Sequence, residues 1–221
     1  MKELGANTLD FMVGHAYQDF YTEGVNENKD QTGRFTSDTS RNILFPIDQN
    51  TVVSFFGRAK YDYKDKYLLT FTVRHDGSSR LAPKNRWVTY PAAAFAWRIS
   101  EENFLKSANL FADLKVRLGW GVTGQQDGIG NYDYLSRYTS SGNSAQYQLG
   151  NGFITTIRPE GYNADLKWQT TTTYNAGLDM TVFSGRASVS VDYYRRTTED
   201  LLNDVPVPAG SNFINRIISN V

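Results

Sequence analysis

The stretch Ala187-Ser188-Val189-Ser190-Val191-Asp192-Tyr193-Tyr194 alternates strictly. Its odd positions are Ala187, Val189, Val191 and Tyr193, and its even positions are Ser188, Ser190, Asp192 and Tyr194. A period of two puts the apolar set on one face of an extended strand and the polar set on the other. Just upstream, Tyr174, Ala176, Leu178, Met180 and Val182 alternate with Asn175, Gly177, Asp179 and Thr181. Only Phe183-Ser184-Gly185-Arg186 separates the two runs, so they read as an antiparallel hairpin with a tight turn.

The same alternation recurs outward along the chain. Tyr67, Leu69, Phe71 and Val73 face Thr70, Thr72 and Arg74, and Leu114, Val116, Leu118, Trp120 and Val122 face Lys115, Arg117, Gly119 and Gly121. Residues 53–63 follow the rule more loosely, with Phe56 on the polar parity and Gly57 on the apolar one. In residues 9–17, His15 interrupts an apolar set of Leu9, Phe11, Val13 and Tyr17. Residues 87–99 are Ala-rich, with Phe95, Trp97 and Ile99 on one parity. These segments predict seven strands, most of about 9–12 residues. Soluble globular strands average about 5–6 residues, whereas strands crossing a membrane in a barrel need about 9–11.

The connections alternate too. Residues 19–50, 75–86 and 123–167 read as long links, and residues 64–66 and 183–186 as short turns. Residues 100–112 read as a short helical link, with Ser100 as cap and Glu101-Glu102 in its first turn. Long and short connections therefore fall at opposite ends of a meander, the asymmetry of outer-membrane barrels. Tyr61, Tyr63, Tyr67, Trp87, Tyr90, Trp97, Trp168, Tyr193 and Tyr194 sit near strand ends, as interfacial girdles would.

Composition narrows the function classes. The chain has 221 residues, 40% of them hydrophobic, with 23 Lys+Arg against 23 Asp+Glu. Zero net charge argues against a nucleic-acid binder driven by a basic field. The absence of Cys removes disulfide scaffolds, thiolate metal sites and Cys nucleophiles. His15 and His75 are too far apart in sequence for a local metal motif. The longest apolar run, residues 92–97, is far short of the roughly 20 residues of a membrane helix.

The residues also carry a family likeness. From residue 53 onward the chain shows Ser54-Phe55-Phe56-Gly57-Arg58, Asp62-Tyr63-Lys64-Asp65-Lys66-Tyr67, Asp76-Gly77-Ser78-Ser79-Arg80 and Asn85-Arg86-Trp87. It continues with Trp97-Arg98-Ile99-Ser100-Glu101-Glu102, Gly121-Val122-Thr123-Gly124-Gln125-Gln126, Leu166-Lys167-Trp168-Gln169-Thr170-Thr171-Thr172 and Val205-Pro206-Val207-Pro208-Ala209-Gly210. In this order, they resemble the barrel portion of the SusC/RagA family of TonB-linked outer-membrane nutrient transporters. Gln125 and Gln169 stand where the family usually has Asn and Glu, and the first 50 residues match only loosely.

The resemblance implies an all-β antiparallel meander forming part of a large transmembrane barrel in the bacterial outer membrane. It implies import of oligosaccharides or peptides, a SusD-like surface lipoprotein as partner, and a TonB complex engaged through a segment outside these residues. It implies no cofactor and no enzymatic activity. Residues 1–221 would be a partial barrel domain, with signal peptide, plug and the remaining wall lying elsewhere. A soluble β-sheet carbohydrate-binding module is the alternative reading.

Candidate ligand contacts lie in the loop of residues 123–167, where Tyr132, Tyr134, Tyr138, Tyr147, Phe153 and Tyr162 occur among many Asn, Gln and Ser. Aromatic faces with amides and hydroxyls suit a sugar ring, and the resemblance implies an oligosaccharide or peptide ligand. Packing of the loop on itself or onto a partner is the plainer reading. Arg58, Lys60, Arg74, Arg98, Lys115 and Arg117 share the polar parity and are expected to line the lumen. Residues 76–80 lack the acidic spacing of a Ca²⁺ loop and read as a turn, and Gly121 and Gly124 read as strand-exit glycines. Glu101-Glu102 and Glu199-Asp200 are adjacent pairs, whose members point apart on a strand, so neither forms an acid/base dyad.

Overall fold

A computed structural model describes residues 2–4, 7–27, 41–106, 111–140, 146–208 and 216–221. Its frame is one antiparallel sheet. The eight strands, in spatial order, are β1 (Lys2–Leu4), β2 (Asn7–Glu27), β3 (Arg41–Tyr63), β4 (Tyr67–Ser78), β5 (Trp87–Arg98), β6 (Phe111–Gln125), β11 (Gln169–Val182) and β12 (Ala187–Glu199). The long link between β6 and β11 carries β7 (Tyr138–Ser140), β8 (Tyr147–Leu149), β9 (Gly152–Ile154) and β10 (Ile157–Pro159), which pair as β7–β10 and β8–β9. After β12, β13 (Leu202–Pro206) pairs with β14 (Arg216–Asn220). Among the described residues the sheet is open, and no second sheet covers it.

All seven predicted strands are present, and several are longer than the alternation suggested. The largest difference is in residues 19–50, expected as a loop. There β2 and β3 run on as a paired arm to Glu27 and Arg41, with a register irregularity between Thr22 and Gly24. Backbone pairing does not need side-chain alternation, and the arm's Ile43-Leu44-Phe45-Pro46-Ile47 is a run without period two, so it leaves no periodic signal. Residues 28–40 of that expected loop, and Ala209 and Gly210, lie outside the described residues. Gly121 is inside β6, whereas Gly124 is its next-to-last residue, at the strand exit.

The expected helical link is a 3-10 turn, Ile99–Glu101, followed by the short helix α1 (Asn103–Lys106). Ser100 does not cap it: its hydroxyl donates to Asp113 at 3.0 Å. Instead the Glu102 carbonyl accepts from the N–H groups of Leu105 and Lys106, both at 3.0 Å. In the turn of residues 64–66, Lys64 and Asp65 adopt φ of 55°. Asp62 steadies this left-handed backbone by accepting from the Asp65 N–H at 2.9 Å.

Register turns seven alternations into two coherent faces. Leu9, Tyr61, Leu69, Phe95, Leu118, Ala176 and Tyr193 form one cross-strand row, every member apolar or aromatic. The next row is Phe11, Ala59, Phe71, Ala93, Trp120, Tyr174 and Arg195. Phe11, Val13, Phe71, Tyr174 and Tyr193 remain exposed on this apolar face. A soluble sandwich would have to bury such a surface under a second sheet.

The exceptions to the alternation have local causes. Phe56 turns to the polar face because Gly14 beside it has no side chain; a Cβ there would lie 2.6 Å from the Phe56 ring. His15 stays on the apolar face in a row with Phe55 and His75, and Phe55 stacks on Trp87 at 6.3 Å.

Candidate functional site

The polar face holds the charged groups. Arg58, Lys60, Arg74, Arg98, Lys115 and Arg117 all fall on it by register. Arg117 is the centre of its lower half. Its guanidinium donates to both carboxylate oxygens of Asp179, at 2.7 and 2.9 Å, and to Asp192 at 3.0 Å. Ser190 donates to Asp179 at 2.6 Å. Arg117, Gly177 and Asp192 share one row on β6, β11 and β12. The missing side chain at Gly177 lets the guanidinium pass over the middle strand; a Cβ there would meet Asp192 at 2.6 Å and Arg117 at 2.8 Å. Higher up, Arg74 binds both oxygens of Asp76 at 2.8 and 2.7 Å and the Ser54 hydroxyl at 2.9 Å.

Between these clusters the wall is floored by small residues. Thr70, Thr72, Ala92, Ala94, Gly119, Gly121, Thr173 and Asn175 outline a shallow trough of about 250 Å³. Such a surface admits close approach of another backbone or of a passing solute.

The long-link end is closed by a packed rim. Leu81, Tyr90, Ile129, Leu166 and Trp168 form the buried apolar cluster. Tyr90 meets Trp168 edge-on at 6.1 Å, and the Trp168 indole donates to the Arg86 carbonyl at 3.0 Å. Asn131 donates to Asp48 and accepts from Arg80 at 2.8 Å. Lys84 pairs with Asp165, holding that carboxyl below its ordinary range. These bonds fix the start and end of the link over β3, β4 and β5. The turn expected at residues 76–80 is shorter than predicted, since β4 continues to Ser78.

The short-turn end is tied together by one carboxylate. Glu102 accepts from the Tyr67 hydroxyl at 2.7 Å, Lys66 at 3.0 Å and the Trp97 indole at 3.2 Å. These donors, led by the Tyr67 hydroxyl, hold Glu102 down to about 2. Lys106 likewise lowers Glu101. Tyr63, Tyr67 and Trp97 lie in one row, with ring centroids 6.1 and 6.3 Å apart. They form an aromatic girdle at this end, and Trp87 contributes to one at the other. Tyr90 and Trp168, also expected in a girdle, are in the rim cluster, and Tyr194 points to the polar face opposite Asn175.

The six loop aromatics are not gathered into one cavity. Tyr132 lies near the wall, its hydroxyl reaching the Gln49 carbonyl at 3.5 Å and its ring under Arg137. Tyr134 is half-buried. Tyr138 projects from the β7–β10 ribbon. Tyr147 and Phe153 are exposed on the β8–β9 ribbon, where Tyr147 pairs with Ile154 and Phe153 with Gln148, so the two rings occupy opposite faces. Tyr162 lines a separate pocket of about 340 Å³ with Asp133, Asn163, Asp204, Arg216 and Ile218. Alternation cannot reveal this, because the link folds as separate short ribbons. Among the described residues no group of three or more His, Asp or Glu is placed to hold a metal ion.

Comparisons with known proteins agree with this geometry. The family model described as TonB dependent receptor-like, beta-barrel matches residues 3–221. The chain is 45% identical over 224 residues to TonB-dependent receptor SusC of Bacteroides thetaiotaomicron, covering 100% of this chain and 22% of that protein. It is 34% identical over 228 residues to TonB-dependent receptor P3 of Formosa agariphila, covering 98% of this chain and 22% of the relative. The structure of the RagAB peptide transporter superposes with a TM-score of 0.79 at 27% identity, over 97% of this chain and 24% of that one. The siderophore receptor PirA of Pseudomonas aeruginosa shares the fold, with a TM-score of 0.55 at 16% identity over 96% of this chain and 34% of that one. The chain thus spans under a quarter of the length of these curated relatives.

Proposed function

Since the chain belongs to the family of TonB dependent receptor-like β-barrels, we propose that it forms part of the wall of an outer-membrane importer of oligosaccharides or peptides. Residues 1–221 are then one partial barrel domain, completed by the parts of the protein that the chain does not span. The apolar face meets lipid and the polar face lines the lumen. The short turns of residues 64–66 and 183–186 face the periplasm, and the long links face outward.

One observation carries this reading: an open, two-faced sheet of membrane-length strands, matched along its whole length by a TonB-dependent receptor. In lipid, every backbone donor and acceptor must be paired, so such a sheet functions only within a closed barrel. Arg117, Asp179 and Asp192 brace the lumenal wall, and the trough beside them leaves room for transit. The protein carries cargo and performs no covalent chemistry. Energy coupling through TonB belongs to the segments outside this stretch.

A SusD-like surface lipoprotein is the partner, seated on the outward links. Tyr138, Tyr147 and Phe153, exposed on the two ribbons, are the aromatics placed to meet the cargo or that partner. Tyr132 and Tyr134 instead hold the link to the wall, and Tyr162 lines its own pocket.

The test is uptake by cells carrying the complete importer, with labelled oligosaccharide and labelled peptide offered separately. TonB-dependent accumulation of one class, lost when the importer gene is deleted, is expected. Accumulation of neither, or uptake unchanged without TonB, would overturn the proposal.

A further inference from the structure

The pocket beside Tyr162 is not needed to build the wall. It lies between the long link of residues 123–167 and the β13–β14 hairpin and holds about 340 Å³, within the roughly 300–1,000 Å³ of small-ligand sites. Asp133 and Tyr162 come to it from the link, Asp204 from β13, and Arg216 and Ile218 from β14. Asn163 ties the two sides together. Its N–H donates to the Asp133 carbonyl at 2.9 Å. Its side-chain amide donates to the Ile218 carbonyl at 3.2 Å and to the Ser219 hydroxyl at 3.3 Å. The pocket is thus built before a ligand arrives, which lowers the cost of binding one.

Its polar groups are held in advance as well. Asp133 Oδ2 accepts from the Gly130 N–H at 2.7 Å, while Arg137 stands 3.9 Å from Oδ1, beyond hydrogen-bond reach. The Arg216 guanidinium donates to Asp204 Oδ2 at 2.7 Å and to the Asp204 carbonyl at 3.0 Å. This mixed lining selects by charge. Arg216 opposes a ligand ammonium, and Asp133 with Asp204 opposes a ligand carboxylate, because like charges brought into contact are costly. A neutral ligand that both donates and accepts meets neither penalty. Vicinal hydroxyls match the forked edges of a carboxylate and a guanidinium, whereas a peptide backbone offers a single donor and a single acceptor per residue. The C–H face of a sugar ring matches Tyr162 and Ile218.

We propose that this pocket is a loading site for cargo: it holds one neutral sugar ring of an oligosaccharide through Asp133 and Arg216, with Tyr162 against the ring face. Both walls belong to outward links, so cargo meets the pocket before it reaches the lumen. The assignment rests on the importer reading above and narrows its cargo to neutral oligosaccharide.

The test is calorimetric titration of the complete importer in detergent. The probes are neutral hexasaccharides of glucose, mannose, galactose and xylose, a hexasaccharide of galacturonate, and a neutral hexapeptide. At least one neutral hexasaccharide is expected to bind, with the uronate and the peptide about tenfold weaker or worse. Asp133→Asn should weaken the neutral sugar about tenfold, as loss of a charge-assisted hydrogen bond would. Tyr162→Ala should weaken it comparably, and Tyr162→Phe, which keeps the ring face, should bind close to the unaltered importer. Asp127→Asn, a carboxylate of the same link outside the pocket, should change nothing. Tighter binding of the uronate or the peptide, binding of no neutral hexasaccharide, or full affinity in both Asp133→Asn and Tyr162→Ala would overturn the assignment. Uptake of the labelled probes by cells separates the two readings. TonB-dependent uptake unchanged in Asp133→Asn and Tyr162→Ala refutes the pocket alone, whereas uptake of neither sugar nor peptide refutes the importer itself.

Discussion

Phe71 is the position at which the wall is most sharply tested. It is four residues above the aromatic row of Tyr67 and Trp97, and the row of Gly77 and Trp87 lies six residues higher. At roughly 2.5 Å per residue, the two rows are about 25 Å apart and Phe71 is about 10 Å above the lower one. It therefore points into lipid near the midplane, where an arginine on a barrel exterior costs roughly 2–4 kcal/mol. Thr72, the next residue, faces the lumen opposite Arg58. An arginine there meets water and one like charge across the strand, a cost of at most about 1 kcal/mol. Leu69, about 5 Å above the lower row, should fall between them. The measurement is urea unfolding of the complete importer in lipid vesicles, with Phe71→Arg, Leu69→Arg and Thr72→Arg compared at constant m-value. Equal losses at Phe71 and Thr72, or a larger loss at Thr72, would show that the faces are assigned the wrong way round.

Other consequences can be checked more quickly. Gly177→Ala should displace Arg117 from Asp192 and lower stability by about 1–2 kcal/mol, with Gly57→Ala, whose Cβ would meet nothing nearer than 3.7 Å, as the mild comparison in the same unfolding assay. Glu102 is held down to about 2 in the folded state, below its unfolded value of about 4.3. Its contribution is therefore complete above about pH 5 and is lost as pH falls towards 2, so Glu102→Gln should flatten the acid limb of a pH–stability curve across that window. Expressed by itself, residues 1–221 should need detergent or collect in inclusion bodies, since β1 and β12 present unpaired edges; a monodisperse soluble monomer on a sizing column would contradict the barrel assignment. Tyr147→Ala and Phe153→Ala in the complete importer should weaken cargo or lipoprotein binding by calorimetry at least about tenfold in total if these rings are contact anchors.

Much of the fold is legible in local sequence. Tyr174, Ala176 and Leu178 against Asn175, Gly177 and Asp179 show which side chains share a face without any partner strand being known. The Phe183–Arg186 turn joins two of these runs by itself. The candidate site is far less legible. His15 and His75 look unrelated in the chain yet stand in one row on either side of Phe55. Glu102, read as a helix-start residue, gathers donors from β4, β5 and the turn before β4. The six aromatics of the long link look like one cluster in sequence and are distributed over separate ribbons.

Parity, turn positions and the long–short rhythm of connections follow from the residues alone, because each depends on backbone geometry within a few residues. How far β2 and β3 run together, that Arg117 reaches Asp192 over Gly177, and that Arg195 closes a row begun by Phe11 emerge once the strands are paired. Those outcomes depend on register between strands, and register is fixed by pairing across the whole sheet. A shift of one residue would reverse the facing of an entire strand while leaving its own alternation unchanged.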